Sequence, residues 1–275
     1  MKALLILLFL SYTTAQWLSE CGRSKYPNPA PEQRSDKFDR IVGGWEARAN
    51  EFPYQLSLRV FESHVCGAVV INSNWALSAA HCTPIGSFNG LIIVAGAHNR
   101  SNPLNNEQRS NILTVINHER YTNPLRHSND ISLLQLANSL ELNDNVAAAC
   151  SPRLTDYVNV IATSSGWGAT VSGGPIPHVL RYTNVEIWSN SRCNASYPGS
   201  IDESMVCAST PGRDICQGDS GGPLAYNNNG RFEVVGLASW GRGCAEPGNP
   251  GVYARVASKL EWIRENTERR PIQIG

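Results

Sequence analysis

The chain has 275 residues, 41% of them hydrophobic, and its 23 lysines and arginines are balanced by 23 aspartates and glutamates. That length and apolar content can bury a substantial core, as one large or two small units, and exclude a disordered chain. The scattered, balanced charges exclude a basic footprint for nucleic acid or an anionic membrane, so binding must be local.

Met1 to Ala15 has the layout of an export signal: Lys2, an apolar run from Ala3 to Leu10, then small residues at Thr13 and Ala15. The run is shorter than the ~20 residues that cross a bilayer, and no later stretch of that length lacks charge, so no membrane span is expected. Gln16 to Arg40 is polar and carries Pro27, Pro29 and Pro31, which reads as a leader. Strands are expected at Gln55 to Phe61, Leu91 to Ala95, Ile112 to Ile116, Ile131 to Leu136 and Phe232 to Leu237, an all-β spacing that fits a sandwich or a barrel. Only the end reads as helix, with Ser258 and Glu261 as a capping box and Val256, Leu260 and Ile263 at helical spacing. No internal repeat is visible.

Eight cysteines behind an export signal point to disulfides, although spacing alone permits roughly a hundred connectivities. A zinc site at His81 and Cys82 is the competing reading, and the oxidising export route disfavours it.

The most specific string is GDSGGP at Gly218 to Pro223, a serine set among glycines that let a substrate approach the backbone and leave N–H groups free for a developing oxyanion. It also fits the nucleophile elbow of α/β-hydrolases, which places the histidine after the serine. All six histidines (His64, His81, His98, His118, His127 and His178) precede Ser220, so that reading fails. The surviving order is histidine, aspartate, serine, supplied by SAAHC at Ser78 to Cys82 and NDISLLQL at Asn129 to Leu136.

With IVGG at Ile41, SWG at Ser239 and PGVYARV at Pro250, these strings make the chain resemble the trypsin-like, or chymotrypsin-fold, serine endopeptidases from Ile41 to about Ile263. The resemblance implies two six-stranded antiparallel Greek-key barrels with the active site between them and a C-terminal helix. It implies His81, Asp130 and Ser220 as catalytic residues and the N–H groups of Gly218 and Ser220 as an oxyanion hole. By the same resemblance Asp214 sits in the primary pocket, with Ile215, Gln217, Ser239, Trp240, Gly241 and Gly251 around the substrate and Tyr197 and Arg242 near the cleft. Ile215 departs from the small or hydroxyl residue usual there, and arginine is expected over lysine because a guanidinium pairs with a carboxylate bidentately.

Arg40 before Ile41 looks like a cleavage junction ending a propeptide, with the new Ile41 ammonium entering beside Asp219. Ser57 and His64 sit where related precursors hold that aspartate in an alternative network. The implied disulfides are Cys66–Cys82, Cys193–Cys207, Cys216–Cys244 and Cys21–Cys150. Calcium-binding relatives use two acids in the loop after Gly96; Glu107 matches one and Ala97 replaces the other, so no metal site is expected, and Pro250 argues against a sodium response. No cofactor is expected. Asn99 and Asn194 open glycosylation sequons. Expected partners are protein and peptide substrates and protein protease inhibitors, with the enzyme a secreted monomer. The rival from another class is a binding-only homologue, which the complete set of three residues and the intact junction disfavour.

Overall fold

The computed structural model describes residues 17–26, 44–83, 90–171 and 173–268. The expected export signal, most of the expected leader, Arg40 and Ile41 lie outside these residues. A two-residue strand β1 (Trp45–Glu46) precedes a first barrel built from β2 (Gln55–Val60), β3 (Ser63–Asn72), β4 (Trp75–Ser78), β5 (Leu91–Ala95), β6 (Gln108–Asn117) and β7 (Ser132–Leu136). Its order is β2-β3-β4-β7-β6-β5, closed by antiparallel pairing of β5 with β2, where Leu58 faces Ile93.

The second barrel comprises β8 (Ile161–Gly166), β9 (Arg181–Trp188), β10 (Met205–Ser209), β11 (Pro223–Asn228), β12 (Arg231–Trp240) and β13 (Gly251–Arg255). Here the order is β8-β9-β10-β13-β12-β11, closed by β11 on β8, and β1 adds to the outside of β9. Closure pairs the strands of each barrel with one another, and β1 takes up the start of β9 that β10 leaves unpaired. Two helices complete the chain, α1 (Asn190–Ser196) and α2 (Leu260–Glu268).

Strand β3 shows how one sequence serves two cores. Ala68 and Val70 point into the first barrel beside Leu56, Leu58, Ile93 and Leu134, while Val69 and Ile71 point into the seam between the barrels. Both faces are buried, so the run reads as continuously apolar instead of alternating. The seam is aromatic. The Phe52 ring lies 6.2 Å from Tyr54, 5.3 Å from Tyr182 and 6.1 Å from Phe232, joining both barrels through edge contacts.

All four implied disulfides are present. Cys21–Cys150 fastens the leader segment, where Gly22 N–H donates to Ala148 O and Gly22 O accepts from Phe232 N–H. Cys66, His81 and Cys82 lie together, but both sulfurs are spent in one disulfide, which leaves no thiolate to ligate zinc.

The expected capping box does not form. A 3-10 turn over Val256–Lys259 leads into α2, the Ser258 hydroxyl donates back to Arg255 O at 2.8 Å, and Glu261 pairs with Arg264 at 2.5 Å. The turn supplies carbonyls to the first helical N–H groups, so no side-chain cap is needed. Val256 and Ile263 are buried against the seam and Leu260 packs beside them, as the helical spacing predicts. Among the described residues no helix is long and apolar enough to cross a membrane.

Phe52→Ala should remove the ring shared by both barrels and destabilise the fold by about 3–5 kcal/mol. Urea denaturation of the purified protein measures this, and a loss below about 1 kcal/mol would contradict the role assigned to the seam.

Candidate active site

Asp130 is fully buried between the last turn of one loop and the start of β7. One carboxylate oxygen accepts the His81 backbone N–H at 2.9 Å; the other accepts His81 Nδ1–H at 2.7 Å and the Ser239 hydroxyl at 2.5 Å. Burial opposes its ionisation, yet the hydrogen bonds and charge of His81, with the Ser239 bond, outweigh burial and hold the carboxyl below its ordinary range. His81 stands on a 3-10 turn, Ala80–Cys82, that follows β4. With Nδ1 donating to Asp130, the neutral ring carries its lone pair on Nε2.

Ser220 is carried on a segment that packs against the one holding His81, with no hydrogen bond between the Ser220 hydroxyl and His81 among the described residues. Its carbonyl accepts Gly67 N–H at 2.7 Å, and Gly67 follows Cys66, whose disulfide partner Cys82 follows His81. The two chain segments meet so closely that a Cβ on Gly221, which has φ of 75°, would lie 2.3 Å from Ser78 Oγ and 2.5 Å from Gly67 O. No other residue fits there. Within GDSGGP the N–H groups of Asp219, Gly221 and Gly222 are bonded to backbone carbonyls, whereas those of Gly218 and Ser220 have no partner among the described residues. Two unbonded N–H groups, one of them the serine's own, are the donors this turn leaves for an anion.

A pocket of about 160 Å³ opens beside Ser220, lined also by Asp214, Ile215, Gln217, Ser239, Trp240 and Gly241. Gly243, which no sequence pattern singled out, and the Cys216–Cys244 disulfide complete its wall. Asp214 is 2% exposed and accepts Ile215 N–H at 2.8 Å and Ala245 N–H at 3.2 Å. Burial pushes its carboxyl up to about 7, because no cation among the described residues pairs with it. Gly251 keeps the space open, since a Cβ there would lie 2.5 Å from Asp214 Oδ1 and 3.1 Å from Ile215 Cγ1. Ile215 itself brings an apolar chain and only its backbone N–H to the carboxylate.

The trypsin family model matches residues 41–263. The chain belongs to the trypsin family. It is 44% identical over 238 residues to trypsin-1 of Astacus astacus, covering 82% of this chain and 99% of that one. It is 39% identical over 234 residues to trypsin of Sus scrofa, covering 84% and 97% respectively. The trypsin family comprises serine endopeptidases, and the twin barrels described above are its chymotrypsin fold.

One expectation for this trypsin-family chain changes in the structure. Tyr197 does not line the cleft: it is fully buried, its hydroxyl donates to Pro250 O at 2.8 Å, and its ring supports Trp240 from behind at 4.8 Å. A buried phenol needs an acceptor, and the Pro250 carbonyl is the one within reach. Trp240 is also stacked by His127, 5.7 Å away with planes 25° apart, a contact that no motif marked. Arg242 lies 5.3 Å over the Tyr197 ring.

Asp219 points away from Ser220 and accepts the N–H groups of Gly168 at 2.7 Å and Cys216 at 3.0 Å. Burial raises its carboxyl to about 6. His64 does not touch it; its Nε2–H donates to Gly218 O at 3.0 Å and its Nδ1 accepts the Ser57 hydroxyl at 2.9 Å. Desolvation lowers this imidazole to about 4, so it is neutral near pH 7. The Glu107 side chain is 4% exposed, with Arg109 at 3.8 Å and the charge of Arg59 also acting on it. Asn194 is exposed on α1, while Asn99 is half-buried with its side-chain oxygen held by the N–H groups of Ser101 and Asn102.

An acid whose folded pKa lies above its unfolded value stabilises the fold at acid pH and loses that contribution as pH rises, here from about 4 through about 7. Asp214→Asn should therefore match the parent near pH 4 and exceed it by about 2–4 kcal/mol at pH 8. Denaturant titrations at both pH values, on a Ser220→Ala background to prevent digestion, measure the difference. A variant less stable than its parent at pH 8 would contradict the unpaired state of Asp214.

Proposed function

We propose that this chain is exported as an inactive precursor, is cut after Arg40, and then hydrolyses peptide bonds on the carboxyl side of arginine and, less readily, lysine. The observation that carries this reading is a buried, unpaired carboxylate, Asp214, lining the same pocket as Ser220. A guanidinium entering that pocket restores the charge partner that burial denies Asp214, whereas an apolar side chain leaves the acid uncompensated. Ile215 adds no donor or acceptor, which favours the forked, five-donor arginine over lysine, whose ammonium leans on neighbouring oxygens and water. The relatives' printed names, trypsin and trypsin-1, support the same choice.

In the proposed reaction Ser220 Oγ attacks the scissile carbonyl while His81 Nε2 takes its proton, and Asp130 stabilises the imidazolium. The carbonyl oxygen becomes an oxyanion held by the Gly218 and Ser220 N–H groups. His81 returns the proton to the leaving amine, which departs and leaves an acyl group on Ser220. Water then attacks the ester with His81 again as base, releasing the acid and restoring the hydroxyl.

Activation follows from Asp219. The Ile41 ammonium freed by cleavage supplies the cation that this buried carboxylate lacks among the described residues, and pairing there orders the backbone that carries Gly218 and the pocket. The leader remains attached through Cys21–Cys150. Residues 1–15 act as the export signal, and four disulfides suit an oxidising destination. The product is a monomer inhibited by protein inhibitors that fill the same cleft, with Asn194 as the more accessible of the two sequons for a glycan.

Profiling a peptide library with protein cleaved after Arg40 tests the reading. More than nine-tenths of cuts should follow arginine or lysine, with arginine preferred several-fold, and Ser220→Ala should abolish them. Preference for an uncharged residue at that position, or equal turnover of matched arginine and lysine peptides, would contradict it.

A further inference from the structure

The loop that delivers Asp130 has a strained backbone. Thr122, His127 and Asn129 have φ of 64°, 67° and 55°, a left-handed region that non-glycine residues keep only where their surroundings over-determine it. Part of the restraint is internal. Thr122 N–H donates to Ser128 O at 2.9 Å, Leu125 N–H to Ser128 Oγ at 2.9 Å, and the Asn129 amide to Asn123 O at 2.8 Å and Arg120 O at 3.0 Å.

The remaining restraint comes from the other barrel, through one carboxylate in the segment between α1 and β10. Asp202 Oδ2 accepts the Ser128 hydroxyl. Its Oδ1 accepts both the hydroxyl of Ser204, at 2.5 Å, and the Ser204 N–H, at 2.9 Å. Ser204 Oγ in turn accepts the Asn129 N–H at 2.9 Å. The Asp202 backbone is itself fixed, its carbonyl accepting the Asn190 amide at 3.0 Å and Met205 N–H at 3.1 Å. Ser128, Asn129 and Ser204 are all buried, so water does not compete for these bonds. The two residues immediately before Asp130 are thus both tied to one acidic side chain of the second barrel.

We infer that Asp202 is a positioning residue for the proposed reaction: through Ser128 and Ser204–Asn129 it fixes the loop that aims Asp130 at His81 and stacks His127 on Trp240. Asp202 touches no reacting atom. Its charge matters because three donors converge on it and a carboxylate is acceptor-only, whereas an amide would turn an N–H₂ toward the Ser128 hydroxyl, which already accepts from Leu125. Loosening the latch lets the strained residues relax toward ordinary backbone and shifts Asp130 relative to its donors, and misplacement on the order of 1 Å far from the chemistry costs up to about 100-fold in rate.

This inference rests on the triad reading above, and its test separates the two. Activated parent, D202A, D202N, S128A and E203A, the last an exposed neighbour, are compared on one arginine peptide for kcat and KM. Melting temperature and the downfield proton resonance of the His81–Asp130 hydrogen bond are recorded alongside. D202A should lower kcat about tenfold, with KM changed less than about threefold, and shift or broaden that resonance. D202N and S128A should fall between D202A and the parent, and E203A should match the parent. S128A, a gentler deletion, carries the test if D202A does not fold. A kcat within twofold of the parent in both D202A and S128A with an unmoved resonance, even if the melting temperature falls, would overturn the latch. Turnover surviving in S220A would instead bring down the triad on which it rests.

Discussion

The structure depends on a negative charge kept inside the protein. Asp130 has no access to solvent, and three converging donors together with the charge of His81 hold its carboxyl below the ordinary range. Those donors come from both barrels: two belong to His81, on the turn after β4, and the third is Ser239 at the end of β12. Removing either barrel would leave a buried carboxylate without full compensation, a loss on the order of 3–5 kcal/mol in comparable ion pairs. The aromatic seam of Phe52, Tyr54, Tyr182 and Phe232 therefore does more than fill space. It holds two separately closed sheets at the separation at which His81 and Ser239 both reach the same oxygen.

Around this satisfied acid sit two that the fold leaves unsatisfied. Asp214 and Asp219 are buried without a cationic partner among the described residues, and both carboxyls rise accordingly, to about 7 and about 6. They oppose folding above pH 4, and the disulfides and apolar seam must offset that. In the proposed enzyme each deficit has a use, since one is met by the substrate's cation and the other by the ammonium that activation creates. Hydrogen bonds from backbone N–H groups soften both deficits without removing them, so a cation still gains by arriving.

Much of this was legible in the residues because the chemistry is concentrated in short strings. SAAHC, NDISLL and GDSGGP each carry a side chain whose neighbours are fixed by contact: Ser78 and Gly67 crowd Gly221, and Cys82 ties His81 to the strand that touches Ser220. Barrel strands such as β2 and β5 appeared through composition, but Ser63–Asn72 and Ile161–Gly166 did not. The first is buried on two faces and loses alternation; the second, IATSSG, has polar residues whose partners come from distant strands, as when Ser165 donates to Gln55 at 2.8 Å. The same cause hid His127, Tyr197 and Asp202. Their roles are set by neighbours between 43 and 113 positions away in the sequence, Trp240 for the first two and Ser128 for Asp202, and no local pattern encodes such pairs.

The central claim, that an ionised Asp130 orders the site by fixing which nitrogen of His81 is free, is tested most directly by Asp130→Asn in protein cleaved after Arg40. The amide preserves size while changing the hydrogen-bond polarity that selects the imidazole tautomer. In this variant kcat on an arginine peptide should fall by about 10⁴-fold near neutral pH, the loss this substitution causes in the serine-protease triad, with an unchanged circular dichroism spectrum. Turnover within tenfold of the parent would contradict it.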